Sequence, residues 1–272
     1  MEPEVRRVQV SGGNLHVRID GAGEPVLLVH GIFASGFCWR RVIPLLAAKY
    51  RVYTVDLLGF GESDMPPDAD YSQSAHARRL HELIDKLGLQ GVRLVGHSMG
   101  GEISVHMVDQ NAAPFRQWAL VSADGFRPAF LPWQRALLSG AWMNRLVPKL
   151  FSERGFQRSI KRIAVEAGAF APDVAEGYLK PYRRAEFPRA VRQLVKHREG
   201  GIDPEKVRSL PRLPTLLLWG DQDRIVPVRI GEQYRELLPH AEWELLPQCG
   251  HMPMEEFPET TAVRLLAFFA DA

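Results

Sequence analysis

The stretch "LVGHSMG", Leu94–Gly100, sets a serine between two glycines directly behind an apolar run. A strand ending at Val95, a G-x-S-x-G turn and an immediate helix would lift the Ser98 hydroxyl off a sheet on a tight corner. Gly96 and Gly100 suit that corner, because a β-carbon on either side would strike neighbouring backbone. At the amino end of the following helix, negative charge developing beside the serine is favoured. The arrangement exposes a nucleophile. A serine hydroxyl needs a base, and the base needs an orienting acid.

The late sequence offers both. His251 stands in "CGHMP", a short loop behind "AEWELLP", while Asp221 and Asp223 stand in "WGDQDRIVP" behind "LPTLLLW". Asp223 is preferred as the acid because it lies deeper in its loop. Asp221 suits a turn cap near Gly220, and Asp124 in "SADGF" is a third candidate. Of the other histidines, His16, His76, His81, His106, His197 and His240 fall in segments read as strand, helix or surface. His97 is expected to point away from the serine and pack the elbow, and His30 to brace the turn after its strand. An oxyanion needs two donors: the N–H of Met99, next after the serine, and the N–H of Ile32, presented where Gly31 turns the chain in "HGIFAS". The side chains of Ile32, Phe33 and Met99 would wall an acyl pocket.

These groups need a scaffold. "VRRVQV" and "NLHVRI" mix polar and apolar residues as an antiparallel edge hairpin does, whereas "PVLLVH", "RVYTVD" and "VRLVGH" read as strands covered on both faces. Helical stretches such as "SAHARRLHELIDKLGL", stopped at Gly88, lie between them. The repetition implies right-handed crossovers and a mostly parallel sheet, resumed in "QWALVSA", "LPTLLLWG" and "AEWELLP" and closed by the helix "PETTAVRLLAFFAD". The loops of Ser98, Asp223 and His251 then share the carboxyl edge, where open α/β sheets bind ligands.

Residues 124–208 are too long and helical for a connection and are read as a cap inserted into a core of residues 1–123 and 209–272. The cap's "FLPWQRALLSGAWMNRLVPKLF" offers Phe130, Trp133, Leu137, Leu138, Trp142 and Met143 as substrate contacts. "ERGFQRSIKRIAVEAG" and "KPYRRAEFPRAVRQLVKHRE" are more basic, and Pro128, Pro132, Pro148, Pro172, Pro181 and Pro188 cut the region into short helices.

With 272 residues, 46% of them hydrophobic, the chain can bury a substantial core. A net charge of only +2 gives no global basic field for nucleic acid. No apolar leader or bilayer-length run is present, so the expectation is a soluble, cytoplasmic protein with no membrane partner, monomeric or homodimeric. Cys38 and Cys249 read as partly buried free thiols, and no ligand pair has metal spacing; neither metal nor cofactor is expected.

The blocks "VLLVHGIFAS", "YTVDLLGFGESD", "LVGHSMGG", "LLLWGDQDRIVP" and "GHMPMEEFPE" resemble, in order, those of the α/β-hydrolase superfamily and its bacterial esterase-like members, over nearly the whole chain. The resemblance implies a mostly parallel eight-stranded sheet flanked by helices, an inserted helical cap, and a structural role for Asp56 and the turn of Gly59, Gly61 and Ser63. Haloalkane dehalogenases and epoxide hydrolases are similar in layout but carry aspartate where Ser98 stands. Meta-cleavage C–C hydrolases share the serine triad and bind acidic dienoates, so they remain an alternative. So do proline iminopeptidases, lactonases and perhydrolases and, more distantly, hydroxynitrile lyases. A non-catalytic small-ligand receptor is an alternative of another class. The expectation is a serine carboxylesterase that takes small-molecule esters of short to medium acyl chain.

Overall fold

Strands β1 (Glu4–Val10), β2 (Gly13–Asp20), β3 (Pro25–Val29), β4 (Arg51–Asp56), β5 (Val92–His97), β6 (Phe115–Val121), β7 (Thr215–Gly220) and β8 (Glu242–Leu246) form one sheet. They are seen in a computed structural model that describes residues 2–165, 170 and 172–270. The end of "ERGFQRSIKRIAVEAG" and Asp271, the final residue of "PETTAVRLLAFFAD", lie outside the described residues. The strand order is β1-β2-β4-β3-β5-β6-β7-β8. β2 runs antiparallel to both β1 and β4, and every other pair is parallel.

The unbroken apolar runs are covered on both faces, as their composition requires. In β3, Leu27 and Val29 join one core while Val26 and Leu28 join the other; in β7, Leu217 and Trp219 part in the same way from Leu216 and Leu218. The sheet thus separates two apolar layers, and the period of two decides which residue serves which. β1 keeps four exposed residues at its start and forms an edge.

The helices are α1 (Ile43–Ala47), α2 (Gln73–Leu87), α3 (Met99–Gln110), α4 (Pro132–Leu138), α5 (Met143–Leu150), α6 (Glu153–Ile163), α7 (Pro172–Leu179), α8 (Phe187–His197), α9 (Pro204–Arg208), α10 (Val228–Leu237), α11 (Pro253–Glu256) and α12 (Pro258–Ala270). Ser72 caps α2 by accepting from the Ala75 N–H, and Gly88 ends it in the left-handed region at φ 63°.

Helices α4 to α9 fill the gap between β6 and β7. Val147 of α5 and Phe187, Val191 and Leu194 of α8 extend one core, whereas Phe156 and Ile160 of α6 and Tyr178 of α7 extend the other. These helices therefore straddle the sheet edge. Their two stems are joined where the Ile202 N–H donates to the Gly125 carbonyl at 2.5 Å. α9 packs on α10.

Candidate active site

Ser98 sits between β5 and α3 at φ 53°, ψ −121°, a backbone conformation that side chains rarely adopt. The two flanking glycines make room for it. A β-carbon on Gly100 would lie 2.5 Å from the carbonyl oxygens of Val29 and His30, and one on Gly96 would lie 2.4 Å from the Gly100 carbonyl oxygen. The corner raises the hydroxyl at the start of α3, where the first N–H groups have no acceptor within the helix.

Parallel pairing of β5 to β8 brings three loops to the same edge. Ser98 Oγ lies 3.0 Å from His251 Nε2, and His251 Nδ1 lies 2.8 Å from Asp223 Oδ2. A carboxylate only accepts, so Nδ1 carries the proton and Nε2 presents its lone pair to the serine. The second Asp223 oxygen accepts from the N–H groups of Ile225 and Val226, both at 2.8 Å. All three side chains are buried. Asp221 is exposed. Asp124 is occupied elsewhere, capping Gly125 and pairing with Arg127 and Arg198.

The loop of Ile32 is held by a neighbouring imidazole. His30 Nδ1–H donates to the Gly31 carbonyl at 2.7 Å, and its Nε2 accepts from the Leu57 N–H at 3.0 Å. Burial lowers the His30 pKa, which keeps the ring neutral in that tautomer. Because C=O and N–H of a trans peptide point oppositely, anchoring the Gly31 carbonyl also aims the Ile32 N–H. Gly31 is itself pressed against the serine: a β-carbon there would be 2.8 Å from Ser98 Cβ. Phe33 follows at φ 52°, its carbonyl accepting from the Tyr182 hydroxyl.

His97 packs at the elbow, but against the histidine loop. Its Nε2–H donates to the His251 carbonyl at 2.8 Å, the two rings are 4.8 Å apart, and burial holds its pKa well below the usual range. Glu256 was not singled out by the sequence. Its carboxylate accepts from the N–H groups of Gly250 at 3.0 Å, Met252 at 3.1 Å and Val165 at 2.7 Å. The His251 N–H donates to the Ile163 carbonyl at 2.8 Å. Glu255, buried, accepts from Arg40 and from the Tyr178 hydroxyl. The paired acids of "PMEEF" look like the solvent side of a helix start, and only the loop's folding back over them buries them.

Above Ser98 and His251 lies a cavity of about 660 Å³, lined by Ile32, Phe33, Leu138, Met143, Val147, Phe156, Tyr178 and Val191 among others, with Lys149, Arg158 and Arg162 also on its wall. Of the residues expected to touch substrate, Phe33, Leu138 and Met143 line it. Phe130, Trp133, Leu137 and Trp142 do not. Trp133 is 64% exposed and Trp142 47%, because α4 and the turn after it show these side chains to solvent while Leu138 and Met143 turn inward. The Met99 side chain is also absent from the wall; it packs in the sheet core.

Asp56 serves the scaffold. It accepts from the N–H groups of Gly36 at 2.7 Å and Glu62 at 2.8 Å, and a β-carbon on Gly61 would strike it. Cys38 and Cys249 are free thiols, fully rather than partly buried. No cluster of His, Cys, Asp or Glu among the described residues is arranged to hold a metal.

A family profile described as "alpha/beta hydrolase fold" matches residues 24–258. The 2-hydroxy-6-oxo-6-(2'-aminophenyl)hexa-2,4-dienoic acid hydrolase of Metapseudomonas resinovorans is 30% identical, over 96% of this chain and 90% of that one. The crystal structure of a serine hydrolase involved in carbazole degradation superposes with a TM-score of 0.85 at 26% identity, covering all of both chains. A thermophilic esterase from Thermogutta terrifontis superposes with a TM-score of 0.79 at 26% identity, over 100% of this chain and 99% of that one.

Proposed function

The chain belongs to the α/β-hydrolase fold family, and from that premise we propose that it is a serine carboxylesterase acting on esters of short to medium acyl chain. One observation carries the reading: Ser98 Oγ, the His251 ring and Asp223 Oδ2 stand in series, 3.0 and 2.8 Å apart, beneath an apolar cavity of about 660 Å³. In the proposed cycle His251 Nε2 takes the hydroxyl proton as Ser98 Oγ attacks the ester carbonyl. The N–H groups of Ile32 and Met99 stabilise the oxyanion. The alcohol leaves with the proton from His251, and water activated by the same ring releases the acid. Asp223 holds the tautomer and stabilises the imidazolium.

The test is turnover of p-nitrophenyl esters from acetate to decanoate by the protein and by Ser98→Ala. Steady turnover that peaks at one chain length and vanishes in the variant supports the reading. Equal, sluggish rates for both proteins refute it. A second reading, C–C hydrolysis of an acidic dienoate, is favoured by Lys149, Arg158 and Arg162 on the cavity wall and by the similarity to the dienoic acid hydrolase of Metapseudomonas resinovorans. Turnover of such a dienoate at a rate above that of every ester would select it. Tight binding of a small ligand without turnover would point to a receptor.

A further inference from the structure

Charge is spread unevenly along this chain. Residues 132–163, which span α4, α5 and α6, hold seven Arg or Lys and one acid, a net +6, while the whole chain carries +2. The remainder is therefore net −4. Arg135 is used locally, donating to the carbonyls of Lys196 and Arg198. The other six, Arg145, Lys149, Arg154, Arg158, Lys161 and Arg162, have no ion pair or side-chain hydrogen bond among the described residues. Elsewhere cations are commonly matched, as in Arg18 with Asp20, Arg183 with Glu176 and Lys206 with Asp109.

The same helices and their turns expose large apolar side chains: Trp133 at 64%, Leu137 at 52%, Trp142 at 47% and Leu150 at 51%. Trp133 and Leu137 are one helical turn apart on α4, and the Trp142 indole N–H donates to the Leu137 carbonyl at 3.0 Å, which holds the ring beside them. Leu150 lies with Lys149, Arg158 and Arg162 on the wall of the cavity that contains Ser98. Unmatched cations and exposed tryptophan and leucine in one region match a lipid headgroup boundary, where indoles settle and basic side chains meet anionic groups. Nucleic acid would answer the charge but leave the leucines unburied. A second copy would bring two surfaces of net +6 face to face.

We propose that α4 to α6 dock on the surface of an anionic lipid bilayer, with the cavity mouth beside the contact. The attachment is peripheral, since no helix among the described residues is long and apolar enough to cross a membrane. This revises the expectation of no membrane partner, which rested on the lack of a spanning run. It does not depend on the esterase reading.

The test is flotation of the full chain with vesicles of phosphatidylcholine and of phosphatidylcholine mixed with phosphatidylglycerol. At low ionic strength the anionic vesicles should carry at least about tenfold more protein than the neutral ones, and added salt should release it. The double variants Trp133→Ala/Trp142→Ala and Arg145→Gln/Arg154→Gln should each float several-fold less while melting at the parent's temperature. None of the four lines the cavity. Failure to float with either vesicle, or equal salt-insensitive flotation with both, overturns the proposal. So does a concentration-dependent dimer abolished by the tryptophan variant, which would assign this face to a second copy. Flotation by a protein that hydrolyses no ester would leave the docking intact and remove only the esterase reading.

Discussion

The sheet edge and the helices above it treat charged side chains in opposite ways. At the edge, carboxylates are buried and matched: Asp223 by His251 and two backbone N–H groups, Asp56 by Gly36 and Glu62, and Glu256 by three N–H groups around the histidine loop. On α5 and α6 the cations stand exposed and unmatched among the described residues. A buried charge must be paired to be tolerated, and pairing with backbone fixes geometry. An exposed charge is tolerated without a partner and stays free for one. Fixed groups thus gather where the proposed chemistry occurs, and adaptable ones where a substrate or surface would be met.

The contrast can be broken first at the edge. Ser98→Ala should lower ester turnover by about 10⁶-fold, and Asp223→Asn by about 10⁴-fold, with the fold intact by circular dichroism. Asp221→Asn and Asp124→Asn should stay within about tenfold of the parent, because neither carboxylate reaches His251. A near-normal rate for Asp223→Asn would move the acid to another residue. Next in size is Gly100→Ala. Its β-carbon would meet two carbonyl oxygens at 2.5 Å, and denaturant unfolding should show a loss of about 3 kcal/mol or failure to fold. Parent-like stability would mean that the elbow can relax.

A smaller effect should appear as a pH dependence. Glu102 on α3 is buried, and desolvation lifts its pKa from 4.5 to about 7, opposed by Arg198 at 3.8 Å. The folded state then holds a proton that the unfolded state has released, so stability from this group falls as pH rises from about 4.5 to about 7. Glu102→Gln removes that loss, and its melting temperature should gain on the parent's as pH rises through the window. Parallel melting curves at all pH values would contradict the burial of a strained carboxylate. The smallest effects should sharpen the division within the insertion. Met143→Ala should raise KM for longer acyl esters several-fold, whereas Trp133→Ala should change stability by less than about 0.5 kcal/mol and leave a water-soluble ester unaffected. A reversed ranking would mean that the outer tryptophans reach the substrate in solution.

The core was legible because its signals are local. Unbroken apolar runs, the Gly-Ser-Gly corner and polar residues just past strand ends each carry a meaning that neighbouring residues suffice to impose. The stretch between β6 and β7 was legible only as helical and apolar. Trp133, Trp142, Leu138 and Met143 come from the same segment and have the same character, yet two face solvent and two face the cavity. Which way they turn depends on how α4 and α5 pack against α8, information that no single helix contains. Glu256 escaped notice for the same reason. An acid near a helix start is ordinarily solvated, and its burial depends on Val165, Gly250 and Met252 converging on it from two distant parts of the chain.

By itself, then, the sequence determined the alternation of strand and helix, the strained corner at Ser98 and the choice of residue types capable of acid, base and nucleophile work, because those follow from side-chain size, polarity and period. Tertiary structure alone decided that Asp223 rather than Asp221 or Asp124 meets His251, that His30 aims the Ile32 peptide, and which apolar residues between β6 and β7 line the cavity. Those are distances of a few ångströms between segments far apart in the chain, set by sheet register and helix packing.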